Sequence, residues 1–420
     1  MEIVLATHKL ADPGGAQTYA LTLAEQLARL GHSVTLYARE VGAVADMARE
    51  RALRVTARAE ELPAGVDGVI TGVDRSLALE LAGRYPDATR LFVVHGSEDI
   101  HLPPPVPGAV AATIALNDLH AARAAACEGA GEVVRLRQPV DLRRFNPKGT
   151  PRERPARVLL LGNYHSQVGS RASMLRDAWA QAGLQWSEVG GQTQTLAVAD
   201  AIAEADVVVG YGRSVLEAMA CGRPAYIHDH SGSEGWITPD SYALMESGGF
   251  AVAAARLPPD SEQLKADLDA YRPEWGMAGH DIARAHHDAR DHAAEVVELI
   301  ERLGPGRALG EPSAVRALAM LAEAQLRAEL AAEHYRKESK QWFSLYHGAQ
   351  EEMARERGAW QAARAEAERQ RGALEHERSA QARAAAQAGE RVAAFRRTRR
   401  YRLAQALAGP LDRLRRRSRG

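Results

Sequence analysis

The first 300 residues alternate short apolar runs with amphipathic stretches, and they do so in two series. Ile3–Ala6, Val34–Ala38, Val66–Thr71, Leu91–His95, Thr113–Leu116 and Val133–Leu136 read as short buried strands, separated by helix-period segments such as Tyr19–Leu30. Strand followed by helix followed by strand predicts right-handed crossovers and a parallel sheet. The pattern resets after Asp141-Leu142-Arg143-Arg144-Phe145-Asn146-Pro147, where Pro151 and Pro155 mark a linker. A second series follows at Val158–Gly162, Leu184–Val189, Asp206–Gly210, Ala225–Asp229 and Phe250–Val252. The expectation is two doubly wound α/β domains in tandem, over residues 1–145 and 146–304. Ligands of such sheets bind beyond the carboxyl ends of the strands. Two facing domains therefore put a site in the cleft between them.

Residues His280–Leu303 read as one helix stopped by Gly304-Pro305-Gly306. Composition then changes. Residues 313–395 are rich in Ala, Glu, Arg and Gln, a long-helix composition. A seven-residue step links Tyr346, Met353, Trp360, Ala367 and Leu374, but the partner positions Ala349, Glu356, Ala363, Gln370 and Glu377 are mostly polar. This extension reads as a self-associating or packed helix, or as a solvated single one. The last segment, 396–420, is a basic amphipathic tail: the final 30 residues hold eleven Arg against one acid, Asp412, with apolar residues interleaved. That pattern suits an anionic membrane surface. A solvated tail is the plainer reading, and the scarcity of stacking aromatics argues against nucleic acid.

The whole chain carries a net charge of −1 and 46% apolar residues, which gives no general bias toward nucleic acid and enough apolar material for a sizeable core. Two cysteines, Cys127 and Cys221, make no disulfide framework or metal-ligand spacing. The start Met1-Glu2-Ile3-Val4 has no basic leader, and no run approaches the ~18 apolar residues of a spanning helix. The expected location is the cytoplasm, with the tail resting on the inner face of the membrane.

Four stations could carry chemistry. Gly14-Gly15 lies between the first strand and its helix, where glycines allow close backbone approach and a helix start attracts a phosphate or sugar. The plain alternative is a tight turn. His95-Gly96 ends an apolar strand, where doubly wound sheets place functional groups; a structural histidine is the alternative. At the third station, Tyr211-Gly212-Arg213-Ser214 leads into a helix from Val215 to Ala220, stopped by Cys221-Gly222. There Ser214 can cap the helix, the N–H groups of Ser214 and Val215 suit a diphosphate, and Arg213 can neutralise it bidentately. Glu217 reads as a first-turn acid that either accepts two ribose hydroxyls or complements the helix dipole. The fourth, His228-Asp229 with the residues after it, reads as a cleft loop and is a poor match to a zinc site.

Together these residues resemble GT-B fold glycosyltransferases, most closely family 4. The resemblance covers about residues 1–300. It rests on Gly14-Gly15-Ala16-Gln17 with Leu27–Val34, on His95-Gly96, on Pro139–Phe145, and on Leu216-Glu217-Ala218-Met219-Ala220-Cys221-Gly222-Arg223-Pro224. It implies two Rossmann-like domains, a nucleotide-diphosphate sugar in the cleft as substrate with no cofactor, and retention of anomeric configuration without a metal. By this resemblance Glu217 holds the donor ribose, Gly15 lies near the donor phosphates, and His95 lies near the transferred sugar. The helix from His280 to Leu303 crosses back to the first domain. The sequence also departs from the family. Val209 stands where the signature's first glutamate belongs, and Asn163 and Val168 stand where an Arg and a Lys usually balance the diphosphate. Arg213 and Arg171 are the candidates to compensate, with Asn163, Tyr211 and Gly212 beside them. The implied function is a retaining glycosyltransferase acting on a glycan or lipid-linked acceptor in bacterial surface polysaccharide synthesis. The alternative implied by the lost charges is a catalytically inactive scaffold or glycan-binding module.

Overall fold

A computed structural model of the chain describes residues 1–96, 101–162, 172–180, 182–191, 193, 197–229, 231–253, 259–400, 402 and 405. Residues 1–339 form one compact unit and 340–420 a second.

The first unit begins with β1 (Glu2–Leu10), α1 (Gly15–Arg29), β2 (Ser33–Val41), α2 (Ala43–Glu50), β3 (Arg54–Thr56), β4 (Gly68–Gly72), α3 (Arg75–Arg84), β5 (Thr89–Val94), β6 (Ala112–Ala115), α4 (Asp118–Ala125) and β7 (Glu132–Arg135). These seven strands make one parallel sheet in the order β3-β2-β1-β4-β5-β6-β7. Its central strands are largely buried because helices cover both faces. Helix α1 turns Leu23, Ala24 and Leu27 into that core.

The C-terminal lobe follows with β8 (Arg157–Leu161), α5 (Ala172–Ala180), β9 (Gln185–Val189), α6 (Val198–Glu204), β10 (Val207–Gly210), α7 (Arg213–Ala220), β11 (Ala225–Asp229), β12 (Gly232–Trp236), α8 (Tyr242–Ser247) and α9 (Ser261–Asp269). The five strands run β12-β11-β10-β8-β9, parallel except for β12. One face carries an aromatic core in which Trp179 and Trp236 stack at 6.1 Å with Tyr226 edge-on to both. The carboxylate of Asp206 fastens the incoming linker to the start of β10 by accepting from the N–H groups of Arg152, Ala156 and Arg157.

Several elements differ from expectation. The sequence signal missed β3 and the antiparallel β12. No strand forms at Phe250–Val252. Instead Gly249 (φ 74°) and Phe250 (φ 57°) turn the chain, and their N–H groups close the end of α8 on the carbonyls of Glu246 and Met245. The expected single helix over His280–Leu303 is two, α10 (Glu274–His286) and α11 (Ala289–Leu303). The break has a local cause. Asp288 caps α11 by accepting from the Arg290 N–H, and Val140 of the interlobe linker bridges the break, donating to the His287 carbonyl and accepting from the Ala289 N–H. Helix α11 then packs on α1 in the N-terminal lobe, so the chain does cross back.

The long helix α12 runs Pro312–Arg396 without interruption. Its first turns belong to the N-terminal lobe. Val315, Ala319 and Leu326 are buried there, and Glu323 pairs with Arg39 at 3.1 Å. In the second unit, Tyr346, Met353, Trp360 and Leu374 are all exposed, and Arg364–Glu368 and Arg371–Glu375 pair within the helix. The tail expected over 396–420 lies largely outside the described residues. Among the described residues, no helix is long and apolar enough to cross a membrane.

Candidate functional site

Each sheet has one point where strand order reverses, between β1 and β4 in the first and between β8 and β10 in the second. Crevices for ligands open beyond the carboxyl ends of the strands at such points. The predicted stations fall there. Gly14 and Gly15 start α1 after β1, His95 follows β5, and Arg213 starts α7 after β10.

At the first switch point, Gly15 has open space where a side chain would project. Gly72, at the end of β4, has none: a Cβ there would lie 2.9 Å from the Val93 carbonyl and 3.1 Å from His95 Nε2. The sequence reading missed Gly72, and its only signal was a glycine closing an apolar strand. The His95 ring meets Tyr19 edge-on at 4.9 Å. The Tyr19 hydroxyl in turn meets Nε2 of His292 on α11 at 2.8 Å. Burial first, then the positive surroundings of His101, His120 and Arg213, push His95 down to about 3, so its imidazole is neutral across the physiological range. Burial likewise pushes the Tyr19 hydroxyl well up, against the pull of Arg213.

At the second switch point the helix start differs from expectation. The cap is Gly212, not Ser214, and no side chain caps the helix. Gly212 sits at φ 56°, a conformation that disfavours any residue with a Cβ. Its N–H donates to the Phe250 carbonyl at 2.8 Å. The N–H groups of Ser214 and Val215 are not left open for a ligand: they close tight turns on the Tyr211 and Gly212 carbonyls at 3.3 and 3.2 Å. Arg213 is already the first helical residue, so Glu217 stands one turn in rather than in the first turn.

Arg213 joins the two lobes. Its Nε donates to Glu217 Oε1 at 2.9 Å, Nη1 to the Pro139 carbonyl at 3.1 Å, and Nη2 to Thr22 Oγ1 at 3.2 Å. Thr22 lies on α1 one turn beyond Tyr19, so the guanidinium reaches from the second switch point to the helix of the first. Burial raises the Glu217 carboxyl, and the Arg213 charge works against that rise. Below this pair on α1, Glu25 gathers Arg29, Arg51 and Arg144, the last from the interlobe linker.

The other predicted residues are placed differently. His228 and Asp229 do not form an open cleft loop. They end β11 inside the β11–β12 hairpin, where His228 Nδ1 meets Ser233 Oγ at 2.8 Å and Asp229 accepts from the N–H groups of Ser231 and Val252. Asn163 and Arg171 lie outside the described residues. Tyr211 leads into the Gly212 turn and is half-buried. Among the described residues, no group of three or more His, Cys, Asp or Glu side chains could hold a metal ion.

Against solved structures, the chain is similar to the Anabaena protein Alr3699/HepE. The alignment covers 71% of this chain and 99% of that one at 13% identity with a TM-score of 0.50, both for its complex with UDP and glucose and for its complex with UDP-glucose. The chain has the GT-B fold. A glycosyltransferase from Rickettsia africae ESF-5 aligns over 72% of this chain and 98% of its own, at 12% identity and a TM-score of 0.49. No protein-family model and no curated protein matches the sequence. Within the GT-B frame the Gly212–Arg213 turn starts the helix after β10 in the C-terminal lobe, and the Gly14–Gly15 turn and His95 belong to the N-terminal lobe.

Proposed function

We propose that the chain is a glycosyltransferase that takes a nucleotide-diphosphate sugar in the cleft between its lobes. The observation that carries this reading is Arg213. It is a guanidinium at the carboxyl end of β10 whose two Nη groups face the N-terminal lobe and rest on a hydroxyl and a carbonyl. Neutral oxygens are weaker partners for an Arg than phosphate oxygens, which it can grip bidentately. A donor diphosphate would take their place, with the Gly14–Gly15 helix start facing it. Arg213 then stabilises the leaving nucleoside diphosphate as charge develops. His95, neutral and held against Tyr19, orients the transferred sugar with hydrogen bonds and does not act as a charged group. Retention, a glycan or lipid-linked acceptor, a role in bacterial surface polysaccharide and a cytoplasmic site of action complete the proposal, on the resemblance described above. The test is calorimetry with a panel of nucleoside diphosphates, followed by transfer or hydrolysis assays with the matching nucleotide sugars. A protein that binds none and turns over none is not this enzyme.

One observation favours a second reading, a GT-B protein without turnover. Val209, where the resemblance expects an acid, is fully buried in β10 between Leu160 and Tyr226. Nucleotide binding without turnover in the same panel would select it. For the C-terminal region, the exposed Tyr346, Met353, Trp360 and Leu374 support self-association, which sedimentation of the full chain tests. The Arg-rich tail supports anionic-membrane binding, and co-sedimentation with phosphatidylglycerol vesicles, with and without residues 390–420, tests that.

A further inference from the structure

In the second unit, Tyr346, Met353, Trp360 and Leu374 stand on α12 between 56% and 62% exposed. They recur in steps of seven residues, the a positions of a heptad. A stripe with that period stays on one side of a helix when the helix winds around another. The d positions between them are Glu356, Ala363, Gln370 and Glu377. The e positions are all arginine: Arg357, Arg364, Arg371 and Arg378. All four are exposed. Arg364 and Arg371 pair with Glu368 and Glu375 within the helix, at 3.1 and 3.4 Å, but exposed pairs of this kind hold a side chain only weakly. The g positions are Glu352, Ala359, Glu366 and Ala373, without a single cation.

Two copies of this helix pair either antiparallel or parallel, and charge separates the two. Antiparallel pairing sets e against e and a against d, so four arginines face four arginines and each large apolar side chain meets Glu, Gln or Ala. Parallel pairing in register sets e against g and a against a. The arginine column then faces the g positions, two of them acidic, and Met353, Trp360 and Leu374 meet their own copies. The acids at d are also served. Glu356 and Glu377 each precede an e arginine, and in a parallel pair a d side chain packs beside the e position of the other copy. Each carboxylate therefore lies beside an arginine across the seam. We infer that the second unit forms a parallel, in-register coiled coil of two chains, its occupant a second copy of this chain. This rests on the proposed self-association and names its direction. The Arg-rich segments after Arg396 leave such a pair at the same end, so an anionic surface meets both at once.

Cysteine cross-linking of the full chain tests the direction. Ala363→Cys and Ala384→Cys, both exposed and both at d positions, are prepared as separate variants and oxidised with copper–phenanthroline. Peptide mass spectrometry locates the disulfides, which keeps Cys127 and Cys221 apart from the new thiols. Parallel pairing in register gives a 363–363 disulfide in the first variant and a 384–384 disulfide in the second. An antiparallel pair crosses its own copy at one point along the helix, so it yields at most one of the two. One disulfide, or neither, overturns the inference. Sedimentation of the wild type should give twice the chain mass, and Trp360→Glu, which puts a charge on the seam, should raise the dissociation constant at least tenfold. A mass of three or four chains overturns the inference, and so does an unchanged constant in Trp360→Glu. A wild type that is monomeric at every concentration overturns the proposed self-association together with its direction. Every other failure overturns the parallel pair alone.

Discussion

The two switch points use one topological device in opposite ways. At the first, between β1 and β4, the crevice is shaped by glycines and furnished with neutral rings: Gly15, Gly72, His95, Tyr19 and, behind them, His292. At the second, between β8 and β10, it is furnished with an ion pair, Arg213 and Glu217, at the start of a helix capped by a glycine at positive φ. The difference suits a substrate with two unlike ends, an uncharged sugar and a charged diphosphate. It also predicts that the two regions fail under different perturbations.

The sharpest way to break the comparison is Arg213→Gln. Leaving Glu217 buried without its partner costs about 3–5 kcal/mol, and nucleoside-diphosphate binding should fall below calorimetric detection while the His95 side stays folded. Binding that survives would move the charged role elsewhere, to Arg171 among others. Acid should strike two buried histidines instead, His292 behind the first switch point and His287 against Tyr242 of the C-terminal lobe. Burial pushes His287 and His292 down to about 4, so both are neutral when folded but protonate in the unfolded chain below about pH 6.5. Their contribution is fully present above that value and is lost as pH falls from about 6.5 toward 4, at about 1.4 kcal/mol per pH unit for each. Urea midpoints should therefore drop between pH 7 and pH 5, and the drop should shrink in His292→Gln. A midpoint indifferent to pH in that window would show that these imidazoles are not held neutral.

Gly72→Ala sharpens the neutral side. The added methyl meets the Val93 carbonyl and the His95 ring, and overpacking of this kind costs about 1–3 kcal/mol. Turnover should fall while diphosphate affinity holds; a variant that lost affinity instead would place the diphosphate at the first switch point. The smallest effect is expected from Thr22→Val, which removes one hydroxyl acceptor from Arg213, about 0.5–1.5 kcal/mol of interlobe contact. Diphosphate affinity should stay level or rise slightly, because the ligand no longer competes with that hydroxyl. A fall in affinity would make Thr22 a donor contact in its own right.

Much of the fold was legible because it rests on local signals. Apolar runs gave most of the strands, and a charge balance with almost no Gly or Pro gave the long helix. The helix break at His287–Asp288 escaped because its only punctuation is an aspartate cap, and its bridge partner, Val140, is distant in sequence. Phe250 escaped because an apolar residue after Gly-Gly reads as a strand, whereas its positive φ makes it a turn. The site was legible by position and not by contact. Arg213 stood out at a strand end, but its reach to Thr22, 191 residues away, follows only once the lobes face each other. Ser214 was the plausible cap by residue type, and the Gly212 backbone took that place instead.

The bridge at Val140 bears on motion. The polypeptide passes between the lobes twice, once outward through the linker and once back through His287–Ala289, and Val140 ties those two passages together with a pair of backbone bonds. Two independent swivels would let the lobes twist and slide against each other. Two passages laced at one point behave as a single narrow ribbon, which bends readily but resists shear. Such lacing favours opening of the cleft by bending near Val140 over twisting or sliding of the lobes.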